Sequence, residues 1–225
     1  MIPVGDDDVR GASFPLVSWL LITMNIVVFI YELSLGPDQL QYFFNRFGVV
    51  PVQVLAGENL VSLITSMFLH GGWMHLIGNM LFLFVFGDNV EAVMGKTIYL
   101  LFYLAGGLAA SAGHMLFNLD STVPSLGASG AIAAVLGAYV VMFPRARVKV
   151  LVFLVYLVQV TRVTAVLFAG VWFLTQFFYG VASLGAESAQ TTGVAYWAHV
   201  GGFVLGLVAG AVFRRRAQRM GLRRA

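Results

Sequence analysis

Four side chains in this 225-residue chain have the types and spacing needed for acyl-transfer chemistry. Ser129 lies in GASGA, His199 in AHVGG, and His75 with Asn79 in HGGWMHLIGNM. A serine hydroxyl becomes a nucleophile when a base takes its proton, and neutral imidazole is the usual base. The oxyanion that follows needs N–H donors aimed at it. The His75 ring, the Asn79 amide and the backbone N–H near Ser129 could supply them. His75 and Asn79 are four residues apart, one turn along the same face of a helix. Gly127 and Gly130 flank the serine, where a bare backbone lets a peptide carbonyl come close. No carboxylate is placed to complete a triad, because Asp88 and Glu91 fall at the far end of their segment. A Ser129–His199 dyad is therefore expected.

The elements that must hold these groups are membrane helices. The chain is 60% hydrophobic and 10% charged, against about 25% charge in an ordinary soluble domain. That composition excludes a soluble enzyme, a disordered chain and a nucleic-acid module, despite the net charge of +3. With no cysteine there is no disulfide and no thiolate nucleophile or ligand. Charge-free stretches of about 18 residues or more mark spanning helices. Six qualify: 11–31, 59–87, 97–119, 121–144, 163–186 and 188–213. The fold class expected is an all-α membrane protein with a six-helix bundle as one domain over 1–213, followed by a basic tail at 214–225. The acidic start, Asp6, Asp7 and Asp8, and the length of the first apolar run argue against a cleaved signal peptide.

Lys and Arg mark the cytoplasmic ends of short loops. With six spans, Arg10, Lys96, the group Arg145, Arg147 and Lys149, and the arginines from Arg214 onward share one side, so both termini are expected in the cytoplasm. The stretch 148–160 is too short to span and would reverse this pattern if counted. It is expected to be interfacial or shallow, with Arg162 near the cytoplasmic surface. The first outer loop, 34–58, carries Tyr42, Phe43, Phe44 and Phe47 and is expected to lie in the membrane surface. Small residues recur every four positions at Ser129, Ala133 and Gly137 and at Ala198, Gly202, Gly206 and Gly210. Such faces let two helices pack backbone to backbone, which would set Ser129 beside His199.

The order H-x-x-x-N at His75–Asn79, G-x-S-G at Gly127–Gly130 and A-H-x-x-G-x-x-x-G from Ala198 resembles the rhomboid intramembrane serine proteases. The likeness covers nearly the whole chain and includes G-x-x-x-E at Gly87–Glu91. It implies Ser129 as nucleophile, His199 as general base, and His75 and Asn79 with the Ser129 backbone amide as oxyanion donors. It also implies transmembrane protein substrates in a lipid bilayer, no metal or organic cofactor and no nucleic acid. The location implied is a plasma or inner cell membrane, with the site opening to the non-cytoplasmic side. By the same analogy the fifth span, or the loop 184–193, gates access to the site. Two positions depart from the pattern. Ala133 stands where some members carry an aromatic residue under the base, and Asn59-Leu60 replaces a Trp-Arg pair at the end of the outer loop. Asn25, His70 and His114 are further polar candidates, the two histidines expected to be structural or interfacial. The competing reading is an inactive rhomboid-like client-binding protein or a small transporter.

Overall fold

A computed structural model describes residues 1–9, 12–154, 157–184 and 195–223. Five helices are long and apolar enough to cross a membrane: α1 Leu16–Leu33, α5 Trp73–Met94, α6 Lys96–Leu116, α8 Ala165–Ser183 and α9 Tyr196–Met220. The protein is a multi-pass membrane protein. Three short helices, α2 Pro37–Phe47, α3 Pro51–Leu55 and α4 Ser62–Thr65, lie between α1 and α5. The remaining helix, α7 Ser129–Met142, has 14 residues. At about 1.5 Å per residue it covers about 21 Å of a hydrocarbon layer about 30 Å thick.

The boundaries differ from those marked by charge. The segment 59–87 is not one span: α4 and a 3-10 turn at Ser66–Phe68 precede the membrane helix, which starts at Trp73 and runs past Asp88 to Met94. Of 121–144 only the part from Ser129 is helical, and α9 continues through Arg214, Arg215, Arg216 and Arg219. Charges mark where a helix leaves the apolar layer, whereas the hydrogen-bond ladder continues beyond that point. The far part of the 184–193 loop falls outside the described residues.

The fold is mostly helical, with short strands in addition to the helices. The described residues within 148–160 belong to two antiparallel strands, β3 Arg147–Leu154 and β4 Leu157–Thr164. β-branched residues repeat along them, and Val148 and Val150 are buried while Arg147 on the other face is exposed, the period-2 pattern of a half-buried strand. An antiparallel pair returns the chain to the side it left, so the order of the later helices keeps its sense. The N-terminal strand β1 Ile2–Gly5 adds to β3, and β2 Asp8–Val9 pairs with β5 Leu222–Arg223 near the other terminus. The two terminal segments therefore meet at one end of the bundle.

α6, α7 and α9 pack closest. A Cβ at Gly202 would collide with the Gly130 carbonyl oxygen and one at Gly206 with that of Ala134, while one at Gly210 would lie 2.7 Å from that of Ala138. The face of α7 against α9 thus holds Gly130, Ala134 and Ala138 together with the expected Ala133 and Gly137, where a Cβ at Gly137 would collide with the Phe203 carbonyl oxygen. The Ala133 Cβ lies 3.5 Å from the same point at Gly202. On the other flank, a Cβ at Gly201 would meet the Ala109 carbonyl at 2.6 Å and one at Gly113 would meet that of Trp197 at 2.8 Å. These glycines let backbones touch where side chains would hold them apart.

Polar anchors fix the opposite end. Glu91 accepts hydrogen bonds from Val17 N at 3.0 Å, Ser18 N at 2.8 Å and Ser18 Oγ at 2.8 Å, so α5 caps the start of α1. A Cβ at Gly87, one turn earlier, would meet the Tyr99 hydroxyl at 2.8 Å and Ser18 Oγ at 2.9 Å, which accounts for the G-x-x-x-E spacing. Asn89 donates to Asp6 Oδ2 and accepts from Val9 N, Tyr139 donates to Asp6, and Asp7 accepts from Arg147 N. The acidic start is thus tied to α5, α7 and β3.

Valine at Gly206 should unseat α9 from α7, because the obstacle is a backbone carbonyl that cannot rotate away. The expected loss is at or above the upper end of the about 1–3 kcal/mol typical of overpacking, read as a lower melting temperature in detergent. Valine at exposed Gly57, which has open space around it but a positive φ, should cost less.

Candidate active site

Ser129 is the first residue of α7. The first turn of a helix leaves backbone N–H groups without internal partners. The ladder of α7 opens with Ile132 N donating to Ala128 O, and no side chain caps this end. The Ser129 hydroxyl and free amides therefore share one spot. His199 sits in the first turn of α9, with its Nε2 2.7 Å from Ser129 Oγ. The helix contact set by Gly202 and Gly206 continues up to this pair.

The other imidazole nitrogen, Nδ1, lies 2.7 Å from Gln176 Oε1 on α8. A carboxamide oxygen only accepts, so this contact is a hydrogen bond in the tautomer that carries the proton on Nδ1. Nε2 is then left with a lone pair for the Ser129 hydroxyl. The Trp172 ring, one turn before Gln176, lies 5.7 Å from the His199 ring at 40°. Sequence reasoning left the support of His199 unassigned at Ala133, and Gln176 was not singled out. Its signal was available: apart from Thr175 it is the one strongly polar residue in the middle of α8.

His75 stands in the first turn of α5 against Gly127, where a Cβ would meet His75 Nε2 at 2.7 Å and Ser129 Oγ at 3.6 Å. Gly127 also has φ +126°, a conformation for which glycine is suited. Asn79, one turn along α5, is buried and places Nδ2 2.9 Å from His70 Nε2. His70 lies outside the spanning helices. Burial, with His75 nearby, lowers its pKa to about 4, so the ring is neutral and Nε2 can accept from Asn79. The His70 backbone N–H in turn donates to the Glu32 carboxylate at 3.2 and 3.3 Å. His70 thus lies directly behind Asn79. One of the two Asn79 amide hydrogens remains for another acceptor.

These groups line a cavity of about 890 Å³ that Ser129, His199, His75, Asn79 and Gln176 share with His114. His114 lies in the cavity wall rather than at a lipid interface. Met74, Phe82, Trp172 and Tyr179 from α5 and α8 form much of the apolar wall. The cavity opens at the starts of α5, α7 and α9, the end opposite Arg145 and Arg214 to Arg219. Asn25 lies apart, buried on α1 and donating to Leu21 O at 2.7 Å. Among the described residues no group of three or more His, Asp or Glu could hold a metal ion. The outer loop is anchored differently from the Trp-Arg pattern: Asn59 Oδ1 accepts from Arg46 Nη1 at 2.7 Å and Nδ2 donates to Arg46 O at 2.9 Å, closing α2 onto the segment before α4.

Residues 57–216, well over half of the chain, match the family model described as Rhomboid domain. The chain belongs to the rhomboid family. It is 32% identical over 170 residues to Rhomboid protein 1, mitochondrial, of Saccharomyces cerevisiae, covering 71% of this chain and 45% of that protein. It is 35% identical over 125 residues to Rhomboid protease GluP of Bacillus subtilis, covering 55% and 24%. RHOMBOID-like protein 1 of Arabidopsis thaliana matches at 30% over 185 residues, covering 82% and 42%. The matched region spans less than half the length of each of these relatives. Some rhomboids in this set are mitochondrial by name, so family membership alone does not assign a membrane.

Alanine at Gly127 should be felt twice, through its backbone conformation and through the collision with His75. A residue forced into such a conformation costs on the order of 1–3 kcal/mol. The expected outcome is a lower melting temperature together with reduced activity of the remaining folded protein. Unchanged values for both would show that this wall of the cavity is slack.

Proposed function

We propose that this rhomboid is an active intramembrane serine endopeptidase that cleaves transmembrane protein substrates through an acyl-enzyme. The observation that carries this reading is the 2.7 Å approach of His199 Nε2 to Ser129 Oγ inside a cavity large enough for an extended peptide. Ser129 attacks the peptide carbonyl as its proton passes to Nε2 of His199. The tetrahedral oxyanion is held by the Ser129 backbone N–H, the His75 ring and the remaining Asn79 N–H. His199 then gives its proton to the leaving amine, the C–N bond breaks, and the acyl group stays on Ser129. Water, deprotonated by the same imidazole, attacks the ester and restores the serine.

A fold placement goes with this chemistry. The five long helices and the short α7 form a six-helix membrane domain over 1–213, with 214–225 as a basic tail. The ends marked by Arg145, Arg147, Lys149 and Arg214–Arg219 face the cytoplasm, and so do both termini, which meet there through β2 and β5. The cavity then opens to the non-cytoplasmic side of a plasma or inner cell membrane. α7, shorter than the layer it crosses, holds Ser129 below that surface at the floor of a wet depression. The reading needs no cofactor.

A fluorophosphonate probe, with the modified residue mapped by mass spectrometry, should label Ser129 in the folded protein. In proteoliposomes, Ser129→Ala and His199→Ala should each lower cleavage of a model transmembrane substrate on the order of 1000-fold or more. Folded variants that cleave at the wild-type rate would refute the reading and favour an inactive client-binding protein or a transporter.

A further inference from the structure

The base of a hydroxyl–imidazole pair works only when its free lone pair faces the hydroxyl, and the group bonded to the other ring nitrogen decides this. In this chain α7, where Ala133 presents only a methyl group, does not provide that group. Gln176 Oε1 is 2.7 Å from His199 Nδ1. The carboxamide is itself oriented: its Nε2 donates to Thr175 Oγ1 at 3.4 Å, and Thr175 Oγ1 donates to Trp172 O at 2.6 Å. With the amide nitrogen turned toward Thr175, the oxygen faces the imidazole. Trp172 limits ring rotation from the side.

We propose that Gln176 is the positioning residue of the catalytic pair, fixing His199 as the Nδ1–H tautomer from helix α8. This rests on the reading of Ser129 and His199 as nucleophile and base. Its consequence is mechanical. α8 is the least embedded of the five long helices, with 22% of its membrane window buried against 56% for α5, and it forms one wall of the cavity. The same helix that borders the opening therefore holds the base in register, and a displacement of α8 that takes Gln176 away from Nδ1 frees the ring to change tautomer or rotate. Seating of α8 and competence of the base are one event.

Gln176→Leu removes the acceptor at similar volume, whereas Gln176→Glu keeps an acceptor at the same reach. The leucine variant should lose about 10- to 100-fold in kcat, part of the about 100- to 10,000-fold that a positioned acid–base group supplies, with KM nearly unchanged. The glutamate variant should recover most of that loss. The chain has only four histidines, so selective ¹⁵N-histidine labelling can read the tautomer directly. His199 should carry its proton on Nδ1 in the wild-type protein and give a mixed signal in Gln176→Leu. Wild-type His199 protonated on Nε2 would overturn the proposal whether or not any variant folds. So would a leucine variant as active as wild type, or a glutamate variant that is folded and as impaired as leucine. Full activity of Ser129→Ala would instead remove the underlying reading, which none of the Gln176 outcomes does.

Discussion

Everything in this molecule that concerns the site depends on the contact between α7 and α9. Lipid tails are as apolar as leucine, so two membrane helices gain little from hiding apolar side chains from lipid; they gain from close backbone packing. Gly202 and Gly206 on α9 let the carbonyls of Gly130 and Ala134 approach to distances that no side chain permits. Ser129 and His199 lie at the shared ends of those two helices, so the spacing of the backbones sets the spacing of the hydroxyl and the imidazole. A widening of one ångström there would turn a hydrogen bond of 2.7 Å into no bond at all.

The rest of the fold can be read as protection of that contact. α6 flanks α7 and α9 through Gly106, Gly113 and Gly201, while α5 and α1 are locked by the Glu91 cap. At the site end, Glu32 holds the backbone at His70 and His70 holds the Asn79 amide. These bonds run between elements distant in sequence, which suits a protein whose interior offers few polar partners. Asn59, with its left-handed backbone and two bonds to Arg46, closes the outer loop.

How much of this was legible follows from what sequence patterns encode. Ser129, His199, His75 and Asn79 stood out because a polar side chain in an apolar run is costly and conspicuous, and the structure brings all four to one cavity. The small-residue stripes announced a helix contact, and that contact uses Ala133 and Gly137 together with their neighbours Gly130, Ala134 and Ala138. The strand pair β3 and β4 was readable only as something other than a span: counting charges measures how far an apolar run extends, not how its backbone is hydrogen-bonded. The start of α5 was misjudged for the same reason, since the loop before Trp73 is itself free of charge. Gln176 escaped because a single carboxamide in a helix has a bland reading, and its meaning comes only from the ring it touches.

The nature of the group behind His199 also follows from the solvent. In a water-soluble serine hydrolase a buried carboxylate can orient the base and stabilise the imidazolium that forms. Within a bilayer the same carboxylate would cost about 2.5–3.5 kcal/mol or more to insert near a helix centre, and α8 is the least buried of the five long helices. A carboxamide provides the same acceptor oxygen at 2.7 Å without a charge to desolvate. In the proposed mechanism, what it gives up is the electrostatic stabilisation of the imidazolium, so the proposed oxyanion donors at the start of α7 and on α5 carry more of the transition-state charge. On that proposal, a neutral orienting group on a peripheral helix and a dense set of donors on the central helices are two sides of one adaptation to low dielectric.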